Sequence, residues 1–109
     1  MDAASAPRIT LHPHFHRVTV VIDGTLLADT TGAIELRERG YPPRQYLPRN
    51  DVRMDLLTLS DTVTHCPFKG DASYYSLGEH KDVAWSYEQP LEALKAIEGR
   101  VVFYDEDVN

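Results

Sequence analysis

An Asp-Gly pair between two runs of alternating apolar residues constrains this chain more than any other feature. Across residues 17–30, Val18, Val20 and Ile22 alternate with Thr19 and Val21, Asp23-Gly24 follows, and the chain returns from Thr25 to Asp29. Both central residues of a type I′ turn need positive φ, which Gly adopts freely and Asp tolerates, so the segment is predicted to be an antiparallel hairpin. The next run continues the pattern. Ile34 and Leu36 alternate with Glu35, Arg37 and Arg39, which predicts a strand despite good helix formers. Glu38 then falls on the apolar face, where a carboxylate must be satisfied or cost free energy. Two readings stay open for it: a strand end that has reached solvent, or a carboxylate at the rim of a pocket.

Proline shapes what comes after. Pro42, Pro43 and Pro48 exclude helix and require an extended, edge-like path through Tyr46. A short helix is expected over residues 51–58, capped by Asn50 or Asp51, with Val52, Leu56 and Leu59 on one side. A second is expected over residues 90–98, opened by Pro90 and stopped by Gly99 at C′. Between them, residues 62–66 and 72–77 read as a hairpin around a five-residue loop, residues 67–71. Residues 83–87 read as a strand with Val83, Trp85 and Tyr87 on one face, and residues 100–104 as the last strand. About seven strands succeed one another without intervening helices, so a mainly β fold is expected: a compact antiparallel domain of curled sheets with two short helices.

The length of 109 residues suits one domain starting near residue 9, after a short flexible end at residues 1–8. Eleven basic against seventeen acidic residues give a net charge of −6, which argues against nucleic acid and leaves small anions that need only a local basic cluster. The single cysteine excludes an internal disulfide and a multi-thiolate zinc site. Neither a basic-then-apolar leader nor a membrane-length apolar run is present, so the expectation is a cytoplasmic protein without a membrane partner. A β domain this small has edges that a second copy could cover, which leaves a homo-oligomer open.

The candidate chemistry centres on residues 64–75. Pro67 sets the second position of a turn whose ends are Cys66 and Lys69, bringing their Cα atoms within about 7 Å. An ammonium at that range could favour the thiolate. Alternatively, Cys66 is a small buried hydrophobe and Lys69 a solvated loop charge whose removal would leave stability nearly unchanged. Elsewhere, His12, His14 and His16 project to one side of a strand as three possible ligands, but Pro13 interrupts the run and a solvated edge is the simpler reading, so no metal is assigned. Asp105 and Asp107 have the spacing of a magnesium-binding pair but read as a solvated acidic tail. Tyrosines near Trp85 suit a pocket with an apolar body and polar tips, which Arg44 and Arg49 could complete for an anionic group.

The order of motifs, with Cys66-Pro67, Lys69-Gly70, Ala72 and Tyr74-Tyr75 followed by Trp85, Tyr87 and Pro90, resembles the family catalogued as domain of unknown function 427 over residues 9–108. The resemblance implies a single-domain, mostly β protein, similar to tent-like β folds, and brings a nucleotidyltransferase-like label. The Gly-Ser turn and paired carboxylates of nucleotidyltransferases are absent here, apart from Asp105 and Asp107. The zinc of tent-like folds is held by four cysteines where this chain has one. The motif positions fall on Glu38, Tyr46, Pro48, Asp51, Cys66, Lys69, Gly70, Tyr75, Trp85, Tyr87 and Pro90, and the prolines and Gly70 have backbone reasons to be there. Two functions follow. One is a module binding a small anionic metabolite through Tyr46, Lys69, Tyr75, Trp85 and Tyr87, with no cofactor. The other is an enzyme with Cys66 as nucleophile or redox thiol, Lys69 lowering its pKa and Glu38 or His65 moving protons.

Overall fold

In the computed structural model, which describes residues 7–108, Asp23 and Gly24 have φ of 51° and 76°, the two left-handed positions that a type I′ turn demands. The described residues form ten strands. These are β1 (Ile9–His14), β2 (Val18–Ile22), β3 (Thr25–Thr30), β4 (Ala33–Glu38), β5 (Arg44–Tyr46), β6 (Thr58–Cys66), β7 (Gly70–Leu77), β8 (His80–Ser86), β9 (Val101–Phe103) and β10 (Asp107–Val108). All pairings are antiparallel, in three sheets ordered β1-β4-β5, β6-β7-β8-β9 and β10-β2-β3. The fold is mainly antiparallel β.

The first two sheets meet at one point. Leu47 and Val101 exchange two backbone hydrogen bonds of 2.9 Å each, so β5 runs on against β9 and the seven strands curl as one surface. Alternation then gives that surface two faces. Leu47, Tyr75, Ala84, Val101 and Phe103 face the β2–β3 hairpin and pack with Val18, Val20 and Leu27. Leu36, Tyr46, Ala72, Trp85, Tyr87 and Val102 form a second core on the other face, which Leu94 and Ile97 only partly cover. Val83 departs from the expected face and packs against the first core, not with Trp85 and Tyr87.

The three strands beyond the expected seven are β1, β5 and β10. β1 runs through Pro13, opposite Ile34, because as the edge of its sheet it has no ladder bond to lose there. The two helical segments are 3₁₀ turns, at Arg49–Asp51, Met54–Leu56 and Glu92–Ile97, and no α-helix forms among the described residues. In the first region Val52 bridges to Ala28 and the Arg53 N–H donates to Leu27 at 2.8 Å, so pairing with β3 pulls the backbone extended (φ −116°, ψ 137°) where a helix would have continued. Asn50 and Asp51 consequently lie inside a turn that follows Pro48 and do not cap it. In the second region Leu94 leaves helical geometry (φ −114°, ψ 23°), while Leu94 and Ile97, three apart, both reach the core as a 3₁₀ turn allows. Gly99 ends it with φ of 72°, the C′ geometry expected.

The expected frayed end lies outside the described residues except for Pro7 and Arg8, and Arg8 is packed over Phe68 at 4.1 Å. No described helix is long and apolar enough to cross a membrane. At the other end Asp105 and Asp107 are exposed, yet the tail is tied down: Asp107 pairs with Thr19, and Glu106 accepts the Gln45 N–H at 3.0 Å and the Phe103 N–H at 3.2 Å. Burial pushes the Glu106 carboxyl up to about 7 against the pull of those two N–H donors and of Arg44.

Glu106 holds its proton more tightly folded than unfolded. Its contribution to stability is therefore fully present below the ordinary carboxylate range and is lost as pH rises to about 7. The loss across that window is on the order of 3 kcal/mol. Denaturant titrations of Glu106→Gln against wild type should show this slope removed, with the variant less stable than wild type at acid pH. Parallel pH profiles would contradict the assignment.

Candidate functional site

The turn after β6 is tighter than the sequence suggested. Gly70 and Asp71 already belong to the ladder, opposite Cys66 and His65, so the loop is only residues 67–69 and the Lys69 N–H donates to the Cys66 carbonyl at 3.2 Å. Gly70 has φ of 114°, and a Cβ there would lie 3.2 Å from the Gln89 carbonyl oxygen. The Leu91 N–H in turn donates to the Lys69 carbonyl at 3.1 Å. The backbone on both sides of Lys69 is thereby fixed, and its side chain is directed inward.

There it meets Glu38. Lys69 Nζ is 2.5 Å from Glu38 Oε1, with the two side chains only 12% and 8% exposed, and Arg8 Nε is 3.6 Å from Glu38 Oε2. Neither solvated alternative holds: Glu38 has not reached solvent, and Lys69 is not a loop charge. The two residues are 31 positions apart in sequence and close one end of a cleft of about 410 Å3.

The cleft is the uncovered part of the second face. Tyr46, Trp85 and Tyr87 are at its base, Tyr74 and Tyr104 flank Trp85 with ring centroids 6.3 Å and 4.6 Å away, and Tyr41 and Phe68 stand exposed at the rim. Burial, above all, raises the Tyr46 and Tyr87 phenols far beyond their ordinary range, so both keep their protons and remain potential donors. The Arg44 guanidinium lies over Trp85 at 5.4 Å and Tyr104 at 5.6 Å from the ring centroids. Cys66, a half-buried free thiol, is on the Lys69 side, beside His65, whose Nδ1 is 2.6 Å from Asp71 Oδ1. Arg8, Arg44 and Lys69 thus face one carboxylate, Glu38, a locally cationic surface on a chain of net charge −6.

Of the residues singled out by sequence, Glu38, Arg44, Tyr46, His65, Cys66, Lys69, Trp85 and Tyr87 share this cleft. Tyr75 does not. It packs in the first core, donates its hydroxyl to Glu88 at 3.2 Å and lies under Arg49, while its neighbour Tyr74 takes the place at the cleft. Arg49 is likewise elsewhere, with Nε donating to the Gly99 carbonyl at 2.9 Å. Sequence reasoning missed Arg8, Tyr41, Tyr74 as distinct from Tyr75, and Tyr104. Of the histidines, His12 is 2.8 Å from the Thr10 hydroxyl and His14 3.8 Å from Glu35, and no group of three metal-ligating side chains occurs among the described residues.

Lys69 is held by a buried carboxylate, Glu38, and its ammonium is paired there. Residues 10–109 match the family model described as Domain of unknown function (DUF427), and the chain belongs to that family. No curated protein matches the chain.

Because both partners are buried, breaking the Lys69–Glu38 pair from one side leaves a buried carboxylate with only the more distant Arg8 at 3.6 Å beside it. Lys69→Met should lower stability by on the order of 3 kcal/mol, and adding Glu38→Gln should recover most of it. Chemical denaturation of the single and double variants measures both quantities. Additive losses would show that the two groups are not coupled.

Proposed function

We propose that this DUF427 protein binds a small anionic metabolite in the cleft between the Lys69–Glu38 pair and Trp85, as a binding module rather than through covalent chemistry. The observation that carries this reading is the excess of cations at an aromatic base: Arg8, Arg44 and Lys69 against Glu38, around Tyr46, Trp85 and Tyr87. The volume, about 410 Å3, suits a metabolite. Aromatic walls with phenolic donors supply apolar contact and a few oriented polar groups. The unpaired thiol is consistent with a reducing compartment such as the cytoplasm.

A second reading rests on the half-buried Cys66 thiol at the cleft, which would make the protein an enzyme acting through that sulfur. It is the weaker of the two because Lys69 is engaged by Glu38. Iodoacetamide titration separates them: a Cys66 that reacts as slowly as an ordinary thiol supports binding alone.

Native mass spectrometry of the gently purified protein should find a small anion bound, released as ionic strength is raised. Tyr104→Ala should retain less of it, since that half-exposed ring forms a wall and contributes little to the core. Absence of any bound small molecule across a broad metabolite screen would count against the proposal, as would equal retention by Tyr104→Ala.

A further inference from the structure

The three cations at the cleft are not equally available. Lys69 is 2.5 Å from Glu38, and Arg8 lies on the same carboxylate at 3.6 Å. Turning Lys69 toward an incoming anion would strip a buried carboxylate of its nearest counter-charge. Arg44 is under no such constraint. Arg17, Arg37, Arg49 and Arg53 each sit on a carboxylate, whereas among the described residues Arg44 forms no ion pair. Its Nη1 reaches the Tyr104 carbonyl at 3.4 Å, a weak bond that a ligand can replace. The acid that acts on it electrostatically, Glu106, already accepts two backbone N–H groups.

We infer that Arg44 takes the acidic group of the ligand, and that the ligand is an aromatic monocarboxylate with a hydrogen-bonding substituent on the far side of its ring. The inference rests on the anion-binding reading above and specifies its chemistry. A guanidinium lying over Trp85 and Tyr104 presents its planar fork within the aromatic surface. A carboxylate paired to that fork bidentately carries its attached ring onto the same surface, where the flanking rings of Tyr74 and Tyr104 meet it.

The far end of the cleft suits a neutral group. Lys69 and Glu38 form a balanced pair, with ammonium donors and carboxylate lone pairs to spare, which matches a hydroxyl that both donates and accepts. Lys69 Nζ is 6.0 Å from the Tyr87 ring centroid, and Arg44 stands over Trp85, two residues earlier. Two residues of extended chain span about 7 Å. The two aromatic residues that Arg44 and Lys69 approach are thus about one ring-length apart along the backbone, the scale on which a single six-membered ring bearing a carboxylate and a hydroxyl is inferred to meet both groups. A phosphate monoester fits less well, because its second charge would have no free cation to meet.

Trp85 is the chain's single tryptophan, so its fluorescence reports occupancy of the cleft directly. The full chain is titrated with 4-hydroxybenzoate, with phenyl phosphate and with acetate. The expected result is saturable quenching by 4-hydroxybenzoate, weaker binding of phenyl phosphate, and none by acetate at the same concentrations. Arg44→Gln should weaken 4-hydroxybenzoate by at least about tenfold. Arg44→Lys, which keeps the charge and the stem but not the fork, should fail to restore it. Arg44→Lys binding as wild type does, Arg44→Gln without effect, or phenyl phosphate binding more tightly would each overturn the inference. If 4-hydroxybenzoate does not bind while native mass spectrometry still finds a salt-released anion, the ligand class is wrong and the binding cleft stands. If both fail, the cleft reading falls with it.

Discussion

The two hydrogen bonds between Leu47 and Val101 determine what the rest of the structure can do. Without them, β1-β4-β5 and β6-β7-β8-β9 would be two sheets with separate edges, each needing its own cover. With them, the strands form one curled surface whose alternate residues divide into two groups. The β2–β3 hairpin covers one face together with Val52, Met54, Leu56 and Leu57. The other has only the short turn at Glu92–Ile97 to cover it, and that turn buries Leu94 and Ile97 while leaving Trp85, Tyr46 and Tyr87 at the base of a cleft.

What keeps that cleft polar at one end is desolvation. Glu38 sits at the end of β4 with its side chain almost wholly buried, and a carboxylate there stays charged only with a counter-charge beside it. The fixed turn of residues 66–70 delivers Lys69 to it, and Arg8 adds a second cation from the start of β1. The pair is therefore a structural requirement of the curled sheet before it is anything for a ligand. Arg44, opposite Leu36 on β4, forms none of the ion pairs of this balance and reaches the cleft because β5 is pinned on one side by β4 and on the other by Glu106.

The β2–β3 hairpin was legible because its signal is local: a turn pair and period-two alternation within a dozen residues. Glu38 was legible as a polar residue in phase with Ile34 and Leu36, but its partner was not, since 31 residues and an unrelated hairpin separate it from Lys69. Tyr74 and Tyr75 show a different limit. In residues 72–77 each phase of the strand carries one tyrosine, so alternation could not decide which faced the cleft. The helix expected after Asp51 lost to a tertiary contact, the Ala28–Val52 bridge, which no local propensity encodes. Arg44 was legible as a cation on the extended, proline-bounded path through Tyr46, and the three-residue strand places it in phase with Tyr46, whereas Arg49, named with it, turns elsewhere.

The same balance of charge bears on why a thiol beside a lysine need not be a catalytic thiol. Proximity along the chain makes Cys66 and Lys69 a plausible couple, and the turn does bring their backbones together. The Lys69 ammonium, however, lies 2.5 Å from Glu38 Oε1 in a pair buried on both sides, so its nearest partner is that carboxylate. The contact of His65 Nδ1 with Asp71 is of a different kind, an exposed pair at 2.6 Å on the strands flanking the turn. The recognition proposed for the cleft, of shape and one negative charge, therefore rests on the phenols of Tyr46 and Tyr87, the aromatic faces around Trp85 and the guanidinium of Arg44.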